Sequence, residues 1–213
     1  NKYNGIDIKI YKPDINDKNS LSGNVIRRIV ESKDDYLWIM TRWGLNKYSK
    51  KKDKVEAHFN EFKEDCAIAS DNAGNLFLLT QSRALYYYNF AENEFKKIAF
   101  PDGDKYRSWV GLIFDSQNRM CIVNNGKVKQ FSVDWTDSLN PQLVLIGDMY
   151  HHEYITHFAY DHDKFLIVDR KGDLFIIKED EKTYVKNIRP EIIEHGIIGA
   201  IVYDDNDIFI GFR

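Results

Sequence analysis

Length, composition and charge limit the classes of protein that this sequence can encode. The chain has 213 residues, of which 43% are hydrophobic and 14% are aromatic, so it can build a packed core and is not a disordered protein. Its 30 basic and 33 acidic residues give a net charge of -3, and this balance offers no electrostatic reason to expect nucleic acid or a membrane surface as a partner.

A strand pattern opens the chain and then repeats. Residues 6–11 alternate between apolar and polar types, which predicts a leading outer strand within residues 5–14. An apolar run, a polar turn rich in Asp and Asn, and a second apolar run then recur five times. The second runs begin at Leu37, Leu76, Met120, Phe165 and Ile208. These starts are 39, 44, 45 and 43 residues apart, a period typical of four-stranded propeller blades.

Third and fourth strands complete each repeat. Two apolar positions three residues apart recur after a short turn, as Leu45 and Tyr48, Leu85 and Tyr88, Val128 and Phe131, and Leu174 and Ile177. A fourth apolar or mixed run follows each pair, and no helical periodicity of convincing length is present. The pattern predicts an all-β fold, a β-propeller of four-stranded antiparallel blades. The predicted blades span approximately 20–59, 63–100, 108–149 and 154–189, with an incomplete blade at 196–213.

These blades predict one partial propeller domain over residues 1–213, with about four and a half blades. Half a blade leaves strand edges unpaired, which is an aggregation hazard, so we expect a piece of a longer propeller. A closed five-bladed ring is the alternative. The two cysteines, Cys66 and Cys121, each lie in an apolar run and are expected to be buried thiols, with a disulfide between them as the alternative.

Signatures of catalysis, metal binding and membrane insertion are missing from the sequence. It contains no G-x-S-x-G, P-loop or dinucleotide motif and no Cys/His cluster, so we expect no catalytic residues, no metal and no cofactor. The paired carboxylates at 34–35 and 204–205 lie in turns between strands, where such groups usually bond to backbone N–H groups. No apolar run approaches the ~20 residues that a membrane-spanning helix needs.

The first blade carries a specific resemblance. Its three motifs are Ser20-Leu21-Ser22-Gly23-Asn24-Val25, Leu37-Trp38-Ile39-Met40-Thr41 and Gly44-Leu45-Asn46-Lys47-Tyr48. This series resembles the two-component regulator propeller repeat, in which LS-x-N-x-V is followed by LWIGT and then by GLN-x-Y. The likeness is strongest over residues 8–59, and Met40 replaces the usual Gly.

The resemblance implies a sensor. Members of this family are usually periplasmic sensor regions of hybrid two-component histidine kinases in Bacteroides, where seven-bladed propellers precede a β-sandwich, a membrane helix and the kinase. Many of them sense oligosaccharides from glycan breakdown. The resemblance therefore implies a periplasmic position within an inner-membrane sensor, an oligosaccharide ligand and a homodimer of the parent protein. The absence of catalytic motifs predicts that this chain has no enzymatic activity.

Blade topology predicts a binding face. Because strands alternate in direction, the turns between second and third strands and the links between blades lie on one face of a propeller. The ligand-binding residues that we expect there are Arg42, Trp43, Arg83, Arg107, Trp109, His151, His152 and Arg170. Aromatic rings stack on sugars and guanidinium groups bind hydroxyls or carboxylates, although the same residue types are hot spots for protein partners. Alternatively, Trp43 and Trp109 pack between neighbouring blades.

Three functions therefore remain open. The first is a ligand-sensing extracytoplasmic propeller. The second is a structural or dimerisation module whose parent protein binds its ligand elsewhere. The third is a propeller lyase or glycosidase, which predicts a deep cleft lined by carboxylates.

Overall fold

A computed structural model describes residues 2–3, 5–62, 66–82, 84–101, 109–124, 127–151, 155–161, 164–178, 181–195, 198–204 and 207–212. Within these residues nearly all regular structure is β-strand. The chain divides into two compact units, Asn1–Lys96 and Lys97–Arg213. The prediction that residues 1–213 form one domain stays a prediction.

Unit 1 contains two four-stranded antiparallel sheets and a small hairpin. The hairpin strands are β1 (Lys2–Tyr3) and β2 (Ile8–Lys9), so the segment predicted as a leading outer strand holds a two-residue strand that pairs with β1. Blade 1 consists of β3 (Ile26–Glu31), β4 (Tyr36–Thr41), β5 (Gly44–Ser49) and β6 (Lys54–Phe59). Blade 2 consists of β7 (Ala67–Ser70), β8 (Leu76–Leu79), β9 (Leu85–Asn89) and β10 (Glu94–Ile98).

Unit 2 contains two further four-stranded sheets and a two-stranded one. Blade 3 consists of β11 (Trp109–Phe114), β12 (Met120–Asn124), β13 (Lys127–Asp134) and β14 (Gln142–His151). Blade 4 consists of β15 (Ile155–Asp161), β16 (Lys164–Asp169), β17 (Asp173–Lys178) and β18 (Glu181–Asn187). Blade 5 has β19 (Ile198–Asp204) and β20 (Asp207–Phe212), and helix α1 (Arg189–His195) precedes it.

Within each unit the blades stack through their apolar faces. The first strands of successive blades are in contact: β3 with β7 in unit 1, and β11 with β15 and β15 with β19 in unit 2. Alternate residues of β16 pack in opposite directions, because side chains alternate across a strand. Leu166 and Val168 pack toward blade 5, whereas Phe165 and Ile167 pack toward blade 3. The predicted all-β, blade-type propeller fold is confirmed.

The core of unit 1 is aromatic. Trp38 has no exposed surface, and its ring centre lies 4.5 Å from that of Tyr88 and 5.6 Å from that of Phe95. Its indole Nε1–H donates to the hydroxyl of Ser32 over 2.9 Å, so the buried polar atom of the ring is satisfied. Aromatic side chains of blades 1 and 2 therefore pack against one another between the two sheets.

Turns between first and second strands repeat one arrangement. The Asp71 carboxylate accepts the backbone N–H groups of Ala73 and Asn75 in blade 2. Asp115 accepts the N–H groups two and four positions later in blade 3. Turn carboxylates thus replace backbone partners that the chain reversal removes, which is the role predicted for such residues.

Helix α1 is an element that the sequence pattern does not indicate. It spans only seven residues, which is too short for a helical period to be visible in the sequence. A start signal is nevertheless present, because the Asn187 side chain accepts the Arg189 N–H over 2.9 Å and Pro190 occupies the first turn. Ile192 packs against the blade 4 core, so the helix covers one end of that sheet.

Candidate functional site

The turn between β4 and β5 presents two of the predicted ligand-binding residues. Arg42 and Trp43 lie side by side at its tip, and both side chains are exposed, the indole of Trp43 by 56%. The guanidinium carbon of Arg42 lies 5.5 Å from the centre of the Trp43 ring, within the range of a cation–π contact. The tip therefore offers a flat aromatic surface with a positive charge beside it.

Buried hydrogen bonds hold this turn from below. The Thr41 hydroxyl oxygen accepts the Trp43 N–H over 3.2 Å, and the hydroxyl itself lies 3.0 Å from the Gly44 carbonyl oxygen. The Ser22 hydroxyl lies 2.8 Å from the Thr41 hydroxyl and joins the blade link to the turn. Since Thr41 is 1% exposed, water does not compete for these bonds.

Asn46 extends the support into the sheet. This residue has no exposed surface, and its amide donates to the Ile39 carbonyl over 2.9 Å while its oxygen accepts the Ser22 N–H over 2.8 Å. The imidazole of His58 lies between the Asn46 oxygen and the Lys18 carbonyl, 3.0 Å from each. The motif residues that carry the family resemblance are thus scaffold residues of the turn.

Gly23 lies directly against the Trp43 ring. A Cβ at this position would come within 2.7 Å of the Trp43 Cδ1 atom and 3.2 Å of the Thr41 hydroxyl oxygen. The Arg42 N–H donates to the Val25 carbonyl over 3.2 Å, so the link before β3 and the β4–β5 turn share one edge of blade 1. The sequence pattern predicts no site role for Gly23. A glycine in the link before β3 is nevertheless a signal of a close contact, because glycine lets other groups approach the backbone.

At the end of blade 3 that carries the β12–β13 turn, four residues pair in register across the sheet. Trp109 pairs with Asn124, Asn124 with Lys127, and Lys127 with His151. The backbone thereby brings the predicted residues Trp109 and His151 to the same edge of one sheet, the edge that carries the β12–β13 turn.

Arg170 lies in the β16–β17 turn and is exposed. The Asp169 carboxylate fixes this turn by accepting the N–H groups of Lys171 and Asp173 over 2.8 and 2.9 Å. Arg83, Arg107 and His152 lie outside the described residues. Arg42 and Trp43 belong to unit 1 and the other described residues to unit 2, so a shared ligand-binding face stays a prediction.

One pair of carboxylates lies in a turn, and the two cysteines are buried. Asp34 and Asp35 lie in the β3–β4 turn with φ angles of 61° and 60°, as the sequence places them, whereas the pair at 204–205 is only partly described. Burial raises the pKa of the Cys121 thiol to about 12, and Cys66 is buried as well. Among the described residues no group of three or more His, Cys, Asp or Glu side chains could hold a metal ion.

A cavity of about 410 Å³ lies against one face of blade 1. Its walls include Ile29, Leu37 and Ile39, and the hydroxyls of Tyr11 and Tyr48 both bond to Asp53. The pocket is mostly apolar with a few polar groups, which is the usual composition of a small-molecule site.

The strand register gives this cavity another role. Leu37 and Ile39 occupy the positions in β4 that Phe165 and Ile167 occupy in β16, and the β16 pair packs against the preceding blade. The cavity therefore lies on the face that blade 4 uses for blade packing. We interpret it as a blade-packing face and retain the Arg42–Trp43 turn as the candidate site.

No protein-family model and no curated protein matches this sequence. Solved structures do match. The extracellular domain of BT4673 from B. thetaiotaomicron, described as a one-component system, aligns with a TM-score of 0.65 at 16% identity over 96% of this chain and 28% of that one. The extracellular domain of the hybrid two-component system BT3049 from the same organism gives 0.63 and 16% over the same shares. A streptogramin B lyase gives 0.52 and 10% over 87% of this chain and 75% of that one.

The predicted resemblance is confirmed at the level of the fold. The chain spans 28% of the length of the two extracellular domains, and at 16% identity the likeness carries no ligand or activity with it. Because the similar structures include a lyase as well as sensor domains, the absence of enzymatic activity stays a prediction. In the described part of the chain, no helix has the length and apolar character that crossing a bilayer requires.

Proposed function

We propose that this chain is a ligand-sensing region of an extracytoplasmic sensor and that the Arg42–Trp43 turn binds an oligosaccharide. One observation carries the binding proposal: an exposed indole, paired with a guanidinium group, stands on a buried hydrogen-bond network. Extracellular domains of bacterial signalling systems among the similar structures support the cellular role. A periplasmic position and a histidine kinase in the parent protein are part of the proposal.

Ligand binding at this turn is favoured by the burial of apolar surface and by a small loss of conformational entropy. An exposed indole keeps its apolar face in water, and covering that face with the C–H surface of a sugar recovers hydrophobic free energy. The Thr41 and Gly44 contacts fix the backbone beforehand, so little conformational entropy remains to be lost when a ligand orders the turn.

Calorimetry on the purified chain with oligosaccharides selected from a glycan array tests the site. Trp43→Ala should weaken binding by about tenfold or more, the loss of one stacking contact, and Arg42→Ala should do the same for a ligand that makes a charge-assisted contact with the guanidinium group. Lys51→Ala is the matched control, because it removes an exposed positive charge from the β5–β6 turn at the opposite edge of blade 1. Unchanged affinity in both turn variants, or an equal loss in the control, would refute the assignment.

Strand β14 favours a second candidate, a dimerisation module. It is the fourth strand of blade 3, and Val144, Leu145 and Ile146 are 50%, 40% and 50% exposed. Long apolar edge strands pair readily with other strands. Sedimentation of the wild-type chain and of Val144→Lys separates the candidates, because a concentration-dependent dimer that the substitution abolishes supports the second role.

A further inference from the structure

Arg42 contacts an aromatic ring, whereas several basic side chains of unit 1 form ion pairs. Lys9, Lys50 and Lys52 each form an ion pair, with Asp53, Glu31 and Glu56. Within the described residues Arg42 forms no such pair, and its guanidinium group contacts the Trp43 ring instead. Its hydrogen-bonding fork therefore remains open to an anion from outside the chain.

We propose that the turn selects an anionic saccharide, whose sugar ring stacks on Trp43 and whose acid group binds Arg42. This inference rests on the proposed function and names its ligand class. Guanidinium binds carboxylate and sulfate oxygens through two parallel N–H bonds, which neutral hydroxyls do not match in strength. Because the guanidinium carbon lies 5.5 Å from the ring centre, one saccharide is large enough to contact both the indole and the guanidinium group.

Gly23 acts in this site as a positioning residue. A methyl group there would come within 2.7 Å of Trp43 Cδ1, so Gly23→Ala forces the indole away from its place. Gly23→Ala and Arg42→Ala should therefore affect ligand binding in different ways. Moving the ring affects stacking with every sugar, whereas removing the guanidinium group affects only sugars that carry an acid group.

Carboxylated and sulfated sugars share the chemistry that Arg42 recognises. The probes are therefore a galacturonic acid trisaccharide, a sulfated heparin-derived disaccharide and neutral cellotriose, each titrated into the chain by calorimetry at one low ionic strength. The wild-type chain should bind at least one acidic probe about tenfold or more tightly than cellotriose, as a charge-assisted bond predicts. The stronger of the two acidic probes identifies the acid group.

Variants separate this inference from the proposed function. Arg42→Ala should remove the preference for the acidic probe and leave cellotriose binding within about twofold, while Trp43→Ala and Gly23→Ala weaken both. Lys51→Ala should change neither. Equal affinities for acidic and neutral probes, a preference that survives in Arg42→Ala, or no binding of any of the three probes would overturn the inference. If cellotriose still bound through Trp43, the proposed function would stand without it.

Discussion

Asn46 is a polar side chain with no exposed surface, and every polar atom of it has a partner. Its oxygen accepts the Ser22 N–H, and its NH2 group donates to the carbonyl oxygens of Ile39 and Gly44. Removing a side chain of this kind leaves several buried groups without partners, which costs more than the bonds themselves contribute.

Asn46→Ala should therefore lower the free energy of unfolding by roughly 2–4 kcal/mol, the cost of one or two unsatisfied buried groups. Urea denaturation followed by tryptophan fluorescence measures the loss. Asn16→Ala is the control, because that side chain is exposed and its removal should stay within about 0.5 kcal/mol. A loss below about 1 kcal/mol for Asn46→Ala would show that water replaces the amide.

Lys47 is a buried cation enclosed by aromatic rings. It is 6% exposed, its ammonium lies 4.1 Å from the Tyr36 ring centre, and it also bonds to the hydroxyl of Tyr88 and the side chain of Asn93. Burial lowers the pKa of Lys47 below its ordinary value of 10.5, although Glu56 opposes the shift. The unfolded chain consequently binds a proton more readily at this site than the folded chain does.

The sign of the pH effect follows from that difference. Below the folded-state pKa the cost of burying the charge is constant, and it is relieved as the pH rises toward 10.5. The stability of the wild-type chain relative to Lys47→Met should therefore increase between neutral pH and about pH 10. Urea denaturation across this range measures it, with Lys51→Met as a correction for net charge; a difference that decreases with pH would contradict the burial effect.

Contacts between turns join successive elements. The β3–β4 turn and the β7–β8 turn meet where the Lys33 N–H donates to the Gly74 carbonyl over 3.1 Å. Gly74 has a φ angle of +75°, and a Cβ there would lie 2.5 Å from the Lys33 nitrogen. A side chain at this position would therefore meet both backbone strain and the neighbouring blade.

Gly74→Ala should destabilise unit 1 by more than the roughly 1–2 kcal/mol that a left-handed conformation costs an alanine. Gly5→Ala isolates that cost, because Gly5 also has a positive φ of +97° but its added Cβ would meet nothing within 4 Å. Thermal unfolding of both variants gives the comparison. Equal effects would mean that the two turns separate without penalty.

The strands could be predicted from sequence because each buries a short apolar run on a fixed period. Helix α1 could not, since its packing comes from Ile192 against blade 4 and from caps rather than from a periodic face. For the site, topology predicted that Arg42 and Trp43 share a turn tip. The contact of Gly23 with Trp43 depends on backbone proximity, which no residue pattern encodes.

At the scale of the whole molecule, equivalent positions of the repeat can be compared, and one apolar face of blade 1 is exposed where blade 4 is covered. In β3, Ile29 pairs with Ile39, and in β15, Phe158 pairs with Ile167, so Ile29 and Phe158 are equivalent positions. Phe158 packs against the blade 3 core and contacts Gly111, whereas Ile29 is 58% exposed. The same blade geometry thus buries the position in unit 2 and leaves it uncovered in unit 1.

Ile29→Ala should therefore change the free energy of unfolding by less than about 0.5 kcal/mol, whereas Phe158→Ala should cost several times more because it opens a cavity in a packed core. The two substitutions should also differ in their effect on a hydrophobic dye. Ile29→Ala reduces dye binding to the folded chain, since it removes exposed apolar area. A large destabilisation by Ile29→Ala would mean that the chain already covers this face in solution, and the blade-packing interpretation of the cavity would then be wrong.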